Sequence, residues 1–107
     1  MADEIVVVAT MIAKPGQEDL VEKTMREAAA KVHAEPGCLL YALHRRKGAA
    51  GHFVMIEKWA SKDALRAHGQ AEALREVGVA LADSLDGPTE VLLFDALPAG
   101  DPDLGAL

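Results

Sequence analysis

Four side chains of different chemistry stand out, and three of them fall in one stretch, His52 to His68, HFVMIEKWASKDALRAH. Glu57 offers a carboxyl, Trp59 an indole N–H, and His68 an imidazole whose ordinary pKa permits proton exchange near neutrality. The fourth, Tyr41, is the chain's one tyrosine. Together these groups could bind a small ligand and move a proton on it. Each also has a plainer role. His68 could cap carbonyls at a helix end or hydrogen-bond across a dimer, Trp59 could be a structural anchor with its N–H satisfied, and Glu57 with Tyr41 could be a hydrogen-bonded structural pair. Met25, Phe53, Met55, Leu74 and Val77 are candidates to line a pocket beside them, although apolar stripes of this kind also build ordinary cores.

The elements that must position these residues follow from periodicity. Phe53, Met55, Glu57 and Trp59 share one parity and Val54, Ile56 and Lys58 the other, so His52–Trp59 reads as a strand. Ser61 stands at a helix N-cap with Asp63 in the first turn, which predicts a short helix ending near His68 and Gly69. Upstream, Ile5–Ile12 is a nearly continuous apolar run rich in β-branched residues, the pattern of a strand covered on both faces. Lys14-Pro15-Gly16 breaks it. From Gln17 to about Ala34, Leu20, Val21, Thr24, Met25, Ala28, Ala29 and Val32 form one helical stripe. Pro36-Gly37 ends that helix, and Leu39–Arg46 is a second strand.

The Gly- and Ala-rich turn Lys47–Gly51 sets a hairpin with Arg46 opposite His52 and therefore Tyr41 opposite Glu57. Cross-strand partners share a face, so Leu39, Tyr41, Leu43, Phe53, Met55, Glu57 and Trp59 are expected on one surface. A second, longer helix is expected from about Gln70 to Leu85, with Leu74, Val77, Leu81 and Leu85 as its stripe and Gly78 in its middle. Glu90–Leu97 is the last strand. The order is α+β, a ferredoxin-like β-α-β-β-α-β arrangement with a four-stranded antiparallel sheet and helices on one face. Its other face carries Val54 and Ile56 and needs cover. A second copy related by two-fold symmetry is the simplest cover, so a homodimer is expected. One domain is expected over residues 1–97, followed by a flexible tail over 98–107.

Composition narrows the partners. The chain has 107 residues and a formal net charge of −6, which argues against nucleic-acid binding by phosphate neutralisation and against acidic membranes. The basic run His44-Arg45-Arg46-Lys47 abuts the hairpin turn and reads as a solvated strand end. No apolar run approaches the roughly 20 residues needed to span a bilayer. Cys38 is the one cysteine, so no internal disulfide forms, in keeping with a reducing compartment; it reads as a small filler or a reactive thiol. The acidic start MADE is not a secretory signal, and a cytoplasmic protein is expected. The four histidines, His33, His44, His52 and His68, pair with no other His or Cys at close zinc-site spacing, so no metal is expected. There is no P-loop, dinucleotide fingerprint or nucleophile elbow.

The segments KPGQEDL, EPGCLLYALHR, FVMIEKWASKDALRAH and GPTEVLLFD, in this order and spacing, resemble the antibiotic biosynthesis monooxygenase (ABM) domain over roughly Ile5 to Leu97. The resemblance implies a homodimer whose sheets pack as a dimeric α+β barrel. It further implies oxidation of a small aromatic quinol or phenol by molecular oxygen without metal, flavin or other cofactor. In such chemistry the deprotonated substrate supplies the electrons, and the protein binds, orients and deprotonates it. His68 matches the family's histidine after ALRA, and Glu57 with Trp59 match its E-x-W. Two departures stand against this pattern. Many relatives carry a second His followed by Phe, where this chain has Ala73 and Leu74. A haem-degrading branch uses an Asn and a His, where this chain has Ala9 and Gly78. A non-catalytic binding or interaction module and an isomerase of a small oxidised metabolite therefore stay open as alternatives.

Overall fold

A computed structural model describes residues 3–107. The chain runs β1 (Ile5–Ile12), α1 (Glu18–His33), β2 (Cys38–Arg45), β3 (His52–Trp59), α2 (Lys62–Gly69), α3 (Glu72–Ala80) and β4 (Glu90–Asp95). The four strands form one antiparallel sheet in the order β2-β3-β1-β4. The fold is the ferredoxin-like α+β arrangement, with the second helical segment divided into α2 and α3. No helix among the described residues is long and apolar enough to cross a membrane.

The hairpin register is the expected one at Tyr41↔Glu57, Leu43↔Met55 and Arg45↔Phe53, and it continues across the sheet as Glu57↔Val7 and Val7↔Leu93. One parity of the two central strands is buried: Ile5, Val7, Ala9 and Met11 on β1, and Phe53, Met55, Glu57 and Trp59 on β3. Against this face α1 lays Val21, Met25, Ala28 and Val32 of the stripe read from its sequence, whereas Leu20 of that stripe is 44% exposed. The opposite parity of β1 and β3 is only half-buried within one chain.

Two expectations need correction. Leu39 does not join the inner surface; it is 50% exposed. A bulge between Cys38 and Leu40 sets Cys38 opposite Trp59, because an extra residue on one strand reverses the parity beyond it. The start of β2 is tied down there by Cys38 N–H donating to Glu35 O (3.2 Å) and Ala60 N–H to Gly37 O (2.9 Å). The last helix also stops early, at Ala80, rather than near Leu85. Residues beyond it are drawn onto the end of β1. Lys14 N–H donates to Ser84 O (2.9 Å), Ala13 bridges Leu85, and Asp86 N–H reaches Ile12 O (2.6 Å). Backbone groups held by β1 in this way do not continue a helical ladder.

The segment after β4 contains a turn in which Gly105 N–H donates to Asp101 O (2.8 Å), and Lys58 Nζ donates to Leu107 O (2.8 Å).

Candidate active site

The site is assembled where β2 and β3 lie beneath α2. Antiparallel pairing sets Tyr41 beside Glu57 on the inner face. Two residues on, Trp59 returns to the same face and donates its Nε1–H to Glu57 Oε1 (2.9 Å). Ser61 then caps α2, its hydroxyl accepting from Ala64 N–H at 3.1 Å, and two turns of helix carry His68 back over the sheet. The imidazole stacks on Trp59 (centroids 4.5 Å apart, planes at 29°) and meets Tyr41 edge-on at 5.4 Å. Tyr41, Glu57, Trp59 and His68, singled out in the sequence, are therefore one contiguous buried cluster.

A fifth member was not anticipated. Glu35, in the turn after α1, holds His68 Nδ1 at 2.9 Å from its Oε1. The sequence gives no sign of this contact. Glu35 lies 33 positions from His68 and reads only as part of the Glu-Pro-Gly turn that ends α1. The turn reaches α2 because of Gly37. Its φ is +82°, and a Cβ there would fall 2.5 Å from Ala64 Cβ. Glycine is thus required by both conformation and space, and it brings Glu35 against the helix that carries His68.

The cluster opens on a cavity of about 770 Å³ between the sheet and the helices. The sheet contributes Val7, Met11, Met55, Val91 and Leu93, and the helical side contributes Met25, Leu65, Leu74, Val77 and Leu81. Of the five proposed lining residues, Met25, Met55, Leu74 and Val77 border this space. Phe53 does not. It is buried under the Arg45 guanidinium, 5.1 Å from the ring centroid, and borders a separate cleft near Glu22 and His33. Trp59 also lies outside the lining and supports the cavity through His68. Met11, Val91 and Leu93 were missed, because β1 and β4 were read only as core and sheet. Val91 and Leu93 remain 53% and 56% exposed, so the cavity opens at the β4 edge, where the short α3 leaves the strand uncovered. At Gly78 an added Cβ would meet nothing within 4 Å.

The polar groups bordering the cavity are Tyr41, Glu57, His68 and Thr89, and among the described residues no Lys or Arg borders it. Burial pushes the Glu57 carboxyl above its ordinary pKa, with Glu35 adding to the rise, while the Trp59 hydrogen bond and nearby His68 pull the other way. Burial, reinforced by Glu57 and Glu35, raises Tyr41 strongly. Its phenol therefore stays protonated near neutral pH and acts there as a hydrogen-bond donor rather than a base. An ionised Glu35 accepts a hydrogen bond from the Nδ1–H of neutral His68, which leaves Nε2 with its lone pair. The arrangement can bind a hydroxylated ring, accept its proton at Nε2 and hydrogen-bond its oxygens. Among the described residues no three His, Cys, Asp or Glu side chains are grouped to hold a metal ion.

Residues 4–80 match the family model described as antibiotic biosynthesis monooxygenase. The chain belongs to the ABM family. Solved structures agree with this. A Caulobacter crescentus protein named among the antibiotic biosynthesis monooxygenases is 36% identical over 90% of this chain and 92% of its own, with a TM-score of 0.83. A second structure of that name is 33% identical over 88% and 99%, with a TM-score of 0.82. A Pseudomonas aeruginosa protein is 29% identical over 91% and 97%, with a TM-score of 0.84. No curated protein matches the chain. The ABM segments quoted from the sequence therefore include every member of the buried cluster, Glu35 among them.

Proposed function

We propose that this ABM protein is a cofactor-independent monooxygenase that oxidises a small aromatic quinol or phenol with molecular oxygen. The observation that carries the reading is that a buried histidine whose Nδ1 is held by Glu35, a buried tyrosine and a buried carboxyl all border one apolar cavity. His68 Nε2 takes the hydroxyl proton. The resulting anion accepts a hydrogen bond from the Tyr41 phenol in surroundings of low dielectric, where such a contact counts for more than in water, while the Glu57 carboxyl can accept from a second substrate hydroxyl. The anion gives electrons to oxygen as a ring carbon forms a C–O bond to it. Loss of that carbon's proton with cleavage of the O–O bond leaves a carbonyl on the ring and releases the second oxygen as water. Hydroquinone plus oxygen thus becomes a hydroxyquinone plus water, and no outside reductant is needed.

The absence of Lys and Arg from the lining favours a neutral substrate, since a phosphate or carboxylate would enter without a counter-charge. This bears against an isomerase acting on a strongly anionic metabolite. The outer sheet face supports pairing of two chains: Val8, Val54, Ile56, Leu92 and Phe94 share it, and Leu92 and Phe94 are 47% and 46% exposed.

The test is oxygen uptake with a panel of neutral hydroquinones. Wild type is expected to consume oxygen and His68→Ala to lose at least about a hundredfold in kcat. No turnover above background, or an unaffected variant, overturns the reading.

A further inference from the structure

The imidazole of His68 stands between two spaces. On one side is the apolar cavity. On the other is an outer cleft of about 460 Å³ formed by Glu35, Pro36, Gly37, Ser61, Asp63, Ala64, Ala67 and Ala71. His68 is the one described residue that borders both. Glu35 meets its Nδ1 from the cleft side, with side-chain exposures of 7% for His68 and 16% for Glu35. The other groups against the imidazole, Trp59 and Tyr41, are aromatic, while Glu57 is engaged by Trp59.

We infer that Glu35 is the positioning residue of His68 and links it to solvent through the outer cleft, so that protons leave and re-enter on the side away from the cavity. This rests on the oxygenase reading. In the first half of the reaction the substrate O–H bond breaks and an Nε2–H bond forms. The Nδ1 proton passes to the Glu35 carboxylate and on to water in the cleft. In the second half water reprotonates Glu35, which returns a proton to Nδ1 while Nε2 delivers its own to the departing oxygen. One proton leaves and one enters, and His68 ends in its starting tautomer. Proton exchange then needs no water beside the reacting anion, whose hydrogen bond from Tyr41 is stronger without it.

Chemical rescue tests this. Glu35→Ala, assayed with 1,4-hydroquinone, is expected to lose at least about tenfold in kcat with KM changed less than about threefold. Added formate should restore kcat saturably, because the cleft admits a small carboxylate to the vacated position. Unchanged turnover, or a loss that formate does not restore, overturns the inference. If Glu35→Ala does not fold, Glu35→Gln keeps the shape without the charge and is expected to show the same kcat loss. A second readout needs no turnover. Nitrogen-15 NMR of wild type at neutral pH should show His68 protonated at Nδ1 and bare at Nε2, with that preference lost in Glu35→Ala or, should that variant not fold, in Glu35→Leu. A proton on Nε2 in wild type overturns the inference. Absent turnover with the NMR signature intact would instead count against the oxygenase reading alone.

Discussion

At the scale of single residues, the cluster places one carboxyl against solvent and another against an apolar hollow. Glu57 is the second of these, and burial raises its pKa. For an acid raised in the folded state, stability is unaffected below the ordinary carboxylate range. It falls as pH rises from that range to the raised value, and the full cost persists above it. Glu57→Gln removes the ionisation while its amide oxygen can still accept from Trp59. The variant is expected to flatten the pH dependence of thermal melts above the ordinary carboxylate range, and to be at least as stable as wild type once Glu57 would be ionised. A steeper fall with pH in the variant would mean that the ionised carboxyl is stabilised by its neighbours instead.

At the scale of elements, α2 and α3 govern the site in different ways. α2 is 8 residues long and carries His68 in its last turn. A helix this short depends on its cap. Ser61→Ala removes the bond to Ala64 N–H and is expected to cost about 1 kcal/mol, lowering Tm by about 4–8 °C in calorimetry. α3 contains Gly78, where the open space around a built Cβ and the absence of a positive φ make alanine compatible. Gly78→Ala is expected to raise stability by about 0.5–1 kcal/mol, read as a higher denaturation midpoint. It also adds a methyl beside the cavity, so bulkier hydroquinones should lose more turnover than small ones.

At the scale of the whole molecule, the sheet has two faces with different fates. The inner face is filled by helix side chains and the cavity. The outer face, with Val54 and Ile56 on the central β3, is only half-buried by its own chain. Two copies pairing through these faces would bury it. Wild type is expected to sediment as a two-chain species at micromolar concentration. Ile56→Lys, which sets a charge in the middle of that face, is expected to sediment as one chain while keeping its helical and strand content. A single-chain mass for wild type at all concentrations would refute the pairing.

The sequence by itself determined the strands, the helix stripes, the hairpin register and the family. These depend on interactions between near neighbours, such as the parity of β3, the spacing of Val21, Met25, Ala28 and Val32, and a turn of fixed length between Arg46 and His52. They placed Tyr41, Glu57, Trp59 and His68 on elements that could converge. Tertiary structure alone decided the rest. The bulge at Cys38 turned Leu39 outward because the Glu35–Gly37 turn is bonded to both β2 and the end of β3. α3 stopped early because β1 claims the backbone of Ser84 to Asp86. Phe53 shares its parity with Met55 yet borders a different cleft, since α1 covers one end of the inner face while the other lies open. Glu35 met His68 only because Gly37 lets two distant segments approach more closely than a side chain would allow. No local pattern encodes that distance, since it is set by the packing of α2 on the turn.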